Sequence, residues 1–379
     1  MDILYELWLH SICGFEPDKA AAAAFLFEDS GNALHSGDVD KKRAKEMGIS
    51  DRIVNEIDNP EHFRAAGDIM RFCEREHIRI ITQESKEYPE RLKNVYMPPR
   101  ILFARGQKLD IDNVLTLSVV GCRKPSPQGK EAAMRIAAEL ARHGAVVVGG
   151  MAEGIDTAAH WSVLNNKGRT VAVLAGGVDS IFPESNRKLY YELIEKGTVI
   201  SERPPKSKGK GYYYRQRNRI IVGLSHGTII VEGKESSGSA MYAGIVAENN
   251  RDLFAVPGNP VIWQSSLPNS LINDGAVMVN EFDVPVKHYM ETRPELIHEP
   301  EKEVSAKSDT ARGSAVFTES ETKILNFIGD NGGTASMEEI TQACDIPVNR
   351  LGSSLTMLAV RGILRAESGN RYVLCENKK

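Results

Sequence analysis

The chain has 379 residues and a formal net charge of −4, with 26% charged and 41% hydrophobic residues. That balance is ordinary for a globular protein with material for two or three domains, and it argues against a disordered chain or a membrane protein. No apolar run approaches the ~18 residues of a transmembrane helix, and so mild an acidity does not by itself advertise a nucleic-acid binder.

The first residues, MDILYELWLHSICGFEPD, carry acids where a secretory signal needs a positively charged start. The five cysteines, Cys13, Cys73, Cys122, Cys344 and Cys375, show no CxxC spacing. They fit thiols in a reducing cytoplasm, where this protein is expected, and not a disulfide framework or a zinc site. Residues 1–85 read as a helical domain. ILYELWLHSI, the Ala20–Ala24 run and FRAAGDIMRFCERE place apolar residues at helical spacing, with glycines between them. A small bundle of sterile-alpha-motif or helix-hairpin-helix type fits. It could bind DNA, bind protein or cap the next domain, and the sequence leaves all three open.

The texture then changes to short β-branched runs: 78–82, 101–106, 115–121, 145–150, 170–177, 198–202, 227–232 and 253–258. From Leu115 on, most alternate with helical patterns such as GKEAAMRIAAELARHG. Continuous apolar strands alternating with helices mean a parallel sheet covered on both faces. Ligands of such folds bind beyond the carboxyl ends of the strands. The informative residues are therefore Gly121-Cys122-Arg123-Lys124-Pro125-Ser126, Gly149-Gly150-Met151 leading to Gly154, Gly176-Gly177 with Phe182-Pro183 following, Glu202, Glu232-Gly233-Lys234, and Pro257-Gly258-Asn259-Pro260. Glycine lets a backbone approach a ligand closely, so several such turns on one rim make a phosphate-tolerant groove.

The stretch from Arg203 to Gly238 stands out. Its segment to Arg219 holds seven Lys or Arg, no acid, and Tyr212, Tyr213 and Tyr214 in a row. Read as a basic-aromatic loop, it offers cations such as Arg215 for phosphates and rings for unpaired bases. Ser237-Gly238-Ser239 then opens a helix whose free N–H groups suit a phosphate. The blander alternative for such a charge run is a solvated surface.

Residues 291–316 read as a linker: charged, aperiodic and poor in large apolar residues. Residues 317–379 read as three helices and a hairpin, a winged helix. Its third helix could enter a major groove but offers only Asn349, Arg350 and Arg361 there, so protein docking is an equal alternative.

Signs of catalysis are few. There is no GxxxxGK[ST], GGxxxG replaces the GxGxxG of a dinucleotide site, and Ser237 and Ser239 lack an esterase elbow. Asp156 and His160 lie one helical turn apart, as an acid–base pair or half a metal site would. More often an Asp near a helix start serves its dipole and a His one turn later packs or bonds to it, and no third ligand or nucleophile stands at a recognisable spacing. Glu202 and Glu232 end strands on the rim, where such residues commonly cap a helix or bind an arginine. No catalytic residue, metal or cofactor is expected.

The order VVGCRKPSPQG, VVGGMAEGIDTAAH, TVAVLAGGVD, RQRNRIIVGLS, IIVEGKESSGSAMYA and FAVPGNP, over Leu117–Val279, resembles the DNA-processing protein A (DprA/Smf) family of bacterial recombination mediators. EYPERL and MPPRILFARG upstream are similar too. The resemblance implies an extended Rossmann-like core with a parallel or mixed sheet at 86–290, flanked by a sterile-alpha-motif-like domain and a winged helix. It implies sequence-independent binding of single-stranded DNA, homodimers, and loading of the recombinase RecA onto incoming strands during natural transformation. By it, Arg123, Ser126, Gly154, Arg217, Asn218, Arg219, Lys234, Ser237, Gly238 and Ser239 would line the DNA groove. Cys122 replaces the family's Ser or Thr, Tyr214-Arg215 its Phe-Pro pair, and Leu267 a glycine, which leaves the backbone at 265–270 least carried by the resemblance. Two other readings stay open: a nucleoside-monophosphate hydrolase, whose core is similar in outline, and a winged-helix regulator of duplex DNA.

Overall fold

A computed structural model describes residues 3–16, 19–20, 23–24, 42, 46, 49–298 and most of 319–374. The chain forms two compact units, Met1–Glu301 and Lys302–Lys379.

Nine strands make the sheet of the first unit: β1 (Arg79–Thr82), β2 (Ile101–Gly106), β3 (Thr116–Val120), β4 (Val146–Gly149), β5 (Arg169–Val173), β6 (Thr198–Ser201), β7 (Gly227–Ile230), β8 (Asp252–Ala255) and β9 (Val277–Met278). Their order is β1-β2-β6-β5-β4-β3-β7-β8-β9. β1 pairs antiparallel with β2 and β2 with β6, while every neighbour from β6 to β9 is parallel. The sheet is therefore mixed, with a parallel centre. The central strands are apolar throughout because both faces are covered. In β4, Val146 and Val148 face one core while Val147 faces the other, and β3, β7 and β8 divide in the same way. All eight sequence-read strands are present. β9 escaped notice because two exposed edge residues carry no periodicity.

The parallel centre is wound by α4 (Pro127–Arg142), α5 (Ile155–Asn165), α6 (Arg187–Lys196), α7 (Gly211–Leu224), α8 (Ala240–Glu248), α9 (Ser266–Asn273) and α10 (Val284–Thr292). They follow α1 (Ile3–Ile12), α2 (Asp51–Glu56) and α3 (Pro60–Arg75). α4 shows why such segments become helices. Ser126 caps its start by accepting the Gly129 N–H at 3.0 Å, and Pro127 fills the first turn, where its missing N–H costs nothing. Ala133, Ile136, Ala137 and Leu140 then form one buried face, and Gly144 ends the helix at φ 70°. The early helices share a core with the outer strands. Leu7 and Leu9 pack with Ile101 and Phe103 of β2, and buried Glu6 meets Arg100 at 2.6 Å.

Leu267, where the resemblance expected glycine, sits buried within α9 against Gly233, where a Cβ would come within 2.9 Å of its side chain. Among the described residues Cys13, Cys73, Cys122 and Cys344 are buried free thiols. Cys375 and most of the 291–316 segment lie outside them.

The second unit contains α11 (Glu319–Asp330) and α12 (Met337–Cys344), with helical residues at 351–352, 354–355 and 358–359. β10 (Thr334–Ser336), β11 (Leu364–Glu367) and β12 (Arg371–Leu374) form an antiparallel sheet in the order β10-β12-β11. A reciprocal capping box starts α12: Ser336 N–H donates to Glu339 at 2.7 Å, and Glu339 N–H to the Ser336 hydroxyl at 3.3 Å. Asn349, Arg350 and Arg361 lie outside the described residues.

Candidate nucleic-acid interface

Connections from β3 run to β4 on one side of the sheet, while β7 and β8 continue on the other, so β3 and β7 flank the switch point of this topology. Open α/β sheets bind ligands in the crevice that forms there. Here that crevice is a cleft of about 430 Å³. The turn after β3 supplies Arg123 and Lys124, α7 supplies Tyr214, Arg215, Arg217 and Asn218, and the loop into α8 supplies Ser237, Gly238 and Ser239. A neighbouring hollow of about 270 Å³ shares Arg123, Ala152, Tyr214 and Arg217 with it and adds Gly150 and Phe182.

Charge at this place opposes that of the whole molecule. Four cations, Arg123, Lys124, Arg215 and Arg217, line the larger cleft against one carboxylate, Asp156. Asp156 is buried, and desolvation raises its pKa against the opposing pull of Arg217. Its carboxylate accepts the Gly150 N–H at 2.8 Å and the Ala152 N–H at 3.4 Å, so it braces the turn after β4. His160 bonds Thr170 at 2.7 Å and not Asp156, and burial lowers its pKa to about 4. The pair is thus a brace and a core imidazole. Arg123 is exposed and lies over the Tyr214 ring at 5.8 Å, and Phe182 meets that ring at 6.0 Å. A cation and two aromatic faces therefore stand together on the rim.

The basic-aromatic stretch is a helix from Gly211 onward, not a loop. Helical spacing sends consecutive side chains in different directions, and Tyr214 parts from Tyr212 and Tyr213, whose rings meet at 4.2 Å. Tyr214 turns into the cleft. The Tyr212 hydroxyl donates to Glu16 at 2.7 Å, and Tyr213 stacks under the buried Arg203 guanidinium at 3.6 Å. Arg203 also bonds the Phe15 carbonyl and Gln216, so this part of the run holds the N-terminal segment against α7.

Several other expected site residues are engaged elsewhere. Arg219 donates from one guanidinium nitrogen, Nη2, to both carboxylate oxygens of Glu202 at 2.6 and 2.7 Å and does not line the cleft. Arg217 is buried and donates to the Gly150 carbonyl at 3.0 Å and to that of Val173 while lining the cleft floor. Met151 is wholly buried with Leu164 and Leu189. Gly154, at φ 86°, adds no surface to the cleft; a Cβ there would come within 2.4 Å of the Cys122 carbonyl oxygen, so it lets two strand-end turns touch. Lys234 stands exposed on the loop that walls the cleft without lining it. Ser126 is engaged within the chain and does not line the cleft. Its hydroxyl donates to Glu232 at 2.5 Å and its N–H at 2.8 Å, so the start of α4 already holds a carboxylate from within the chain.

Trp263 and Met241 line the cleft without having stood out in the sequence, and Phe182, which the sequence placed on the rim but not in the groove, lines its neighbour. A signal existed for two of them. Phe182 and Trp263 are large aromatics placed just after the glycine turns that end strands, on the rim that the topology makes functional. Among the described residues, no three His, Cys, Asp or Glu are placed to share a metal ion, and no helix is long and apolar enough to cross a membrane.

Residues 79–289 match the family model for DNA recombination-mediator protein A. The DNA processing protein DprA of Bacillus subtilis is 40% identical over 199 residues, covering 52% of this chain and 67% of that one. The X-ray structure of DNA processing protein A from Streptococcus pneumoniae superposes with a TM-score of 0.66 at 29% identity, over 76% of this chain and 98% of that one. The Helicobacter pylori protein, whose structure concerns its single-stranded DNA binding mode, gives a TM-score of 0.52 at 27% identity, over 59% and 99% of the two chains.

Proposed function

This chain belongs to the DNA recombination-mediator protein A family, and from that premise we propose that it binds single-stranded DNA without sequence preference. The cleft at the β3–β7 switch point carries the proposal. A net −4 chain gathers four cations, a half-buried tyrosine ring and three small hydroxyl or glycine residues there. One nucleotide would not need that many cations, but a run of phosphates would. Arg123, Lys124 and Arg215 neutralise phosphates, the Ser237–Ser239 turn bonds them, and Tyr214 takes a base.

The protein acts as a non-enzymatic mediator in the cytoplasm. It works as a homodimer and delivers the bound strand to RecA in recombination and natural transformation. The N-terminal helices serve as a sterile-alpha-motif-like domain, and the second unit as a winged helix. Support for the non-catalytic reading comes from the acids on the rim: Asp156, Glu202 and Glu232 each have structural partners.

The test is Arg123→Ala, with binding of a labelled unstructured oligonucleotide followed across salt. Affinity should fall for every sequence tried. The slope of log affinity against log salt should flatten by about 0.7, the value for one phosphate contact on a single strand. An unchanged slope would place the strand elsewhere.

A further inference from the structure

We propose that Trp263 is a second base-stacking platform, so that a single strand lies along the cleft with bases on rings at both ends. This rests on the single-strand reading above. The two hollows share Tyr214, Arg123 and Arg217, but Phe182 lines only the smaller and Trp263 only the larger. The rings are therefore strung along one trough in the order Phe182, Tyr214, Trp263. Lys124, Arg215 and the Ser237–Ser239 turn line the larger hollow with Trp263, and Arg123 and Arg217 border both, so phosphates would run along the whole trough.

Trp263 is built to receive a ligand face. It is half exposed in the short turn Trp263–Ser265 after β8, and that turn is tied down on two sides. The Gly233 N–H donates to the Gln264 carbonyl at 2.7 Å and the Leu267 N–H to the Gly233 carbonyl at 3.1 Å. Asn269 brackets the preceding segment through the Gly258 N–H at 3.1 Å and the Gly258 carbonyl at 3.0 Å. The turn that carries the ring is thus fixed before binding, and an aromatic beside four cations suits an unpaired base on a charged backbone.

The experiment uses the full chain and an unlabelled thymidine oligonucleotide. Trp8 is buried and Trp161 sits under Lys188, so emission that changes on binding should come from Trp263. Saturating oligonucleotide should quench tryptophan emission in the parent protein. Trp263→Phe should lose that quenching while anisotropy with a labelled oligonucleotide still reports binding. Trp263→Ala should weaken binding about tenfold, yet bind an abasic deoxyribose-phosphate chain of equal length as the parent does. Binding by anisotropy with no Trp263-dependent quenching overturns the platform and leaves the single-strand reading standing. So does equal weakening of Trp263→Ala toward oligonucleotide and abasic chain. No binding of the parent protein to either overturns both.

Discussion

Tyr212, Tyr213 and Tyr214 are neighbours in sequence, yet Tyr214 parts from the other two, whose rings meet at 4.2 Å. One bonds Glu16, one lies beneath Arg203, and one faces the cleft beside Arg123. Only the third is placed to stack on a base, and the contrast is measurable. Tyr214→Ala should weaken single-strand binding by about tenfold, the loss of one stacked base. Tyr212→Ala should leave binding within about twofold and show its effect in thermal stability. Equal losses in binding would return the tyrosines to a common stacking surface. From sequence the three could not be told apart, because the direction of each side chain depends on the helix that carries it. Glu202 and Glu232 were readable as helix-capping or arginine-binding acids, and the structure gives each that partner. Asp156 is legible only in part: its place at a helix start suggests service to that start, but its bonds to Gly150 and Ala152 come from a turn folding back on it.

Elements built from strong local signals were legible, and those built by tertiary contact were not. The apolar runs of β3, β4, β5, β7 and β8 declare themselves because both faces are buried, and α4 declares itself through its cap and spacing. α7 begins at Gly211 with no side-chain cap and with tyrosines that favour strands, so its first turns read as loop. Burial of Ile220, Ile221, Val222 and Leu224 under the sheet makes it a helix. The start of α4 shows a similar limit. Ser-Pro-x-Gly announces a helix, but not that Glu232, from a strand end a hundred residues later, accepts the Ser126 N–H and hydroxyl. A carboxylate at this positive end also needs Gly129, whose added Cβ would lie 2.1 Å from the carboxyl carbon. Glu232→Gln keeps the shape and removes the charge. It should lower unfolding free energy by about 1–3 kcal/mol in urea denaturation. A midpoint that does not move would mean that the carboxylate does not hold the helix start.

For the whole molecule, winding the chain outward from β3 in two directions leaves one crevice, and turns separated by more than a hundred residues meet there. Arg123 comes from the turn after β3, Tyr214 from α7 and Ser239 from the loop after β7. An overall charge of −4 hides this concentration of cations. The central claim is that the cleft selects unpaired strands by joining phosphate neutralisation to stacking, and a duplex offers it phosphates without free base faces. The most direct measurement is fluorescence anisotropy of the full chain with a labelled unstructured oligonucleotide and with its duplex, from about 50 to 200 mM salt. The account predicts tighter binding of the single strand at every salt concentration, tolerance of sequence, and a steep fall in affinity as salt rises. Equal or tighter binding of the duplex, or affinity indifferent to salt, would contradict it.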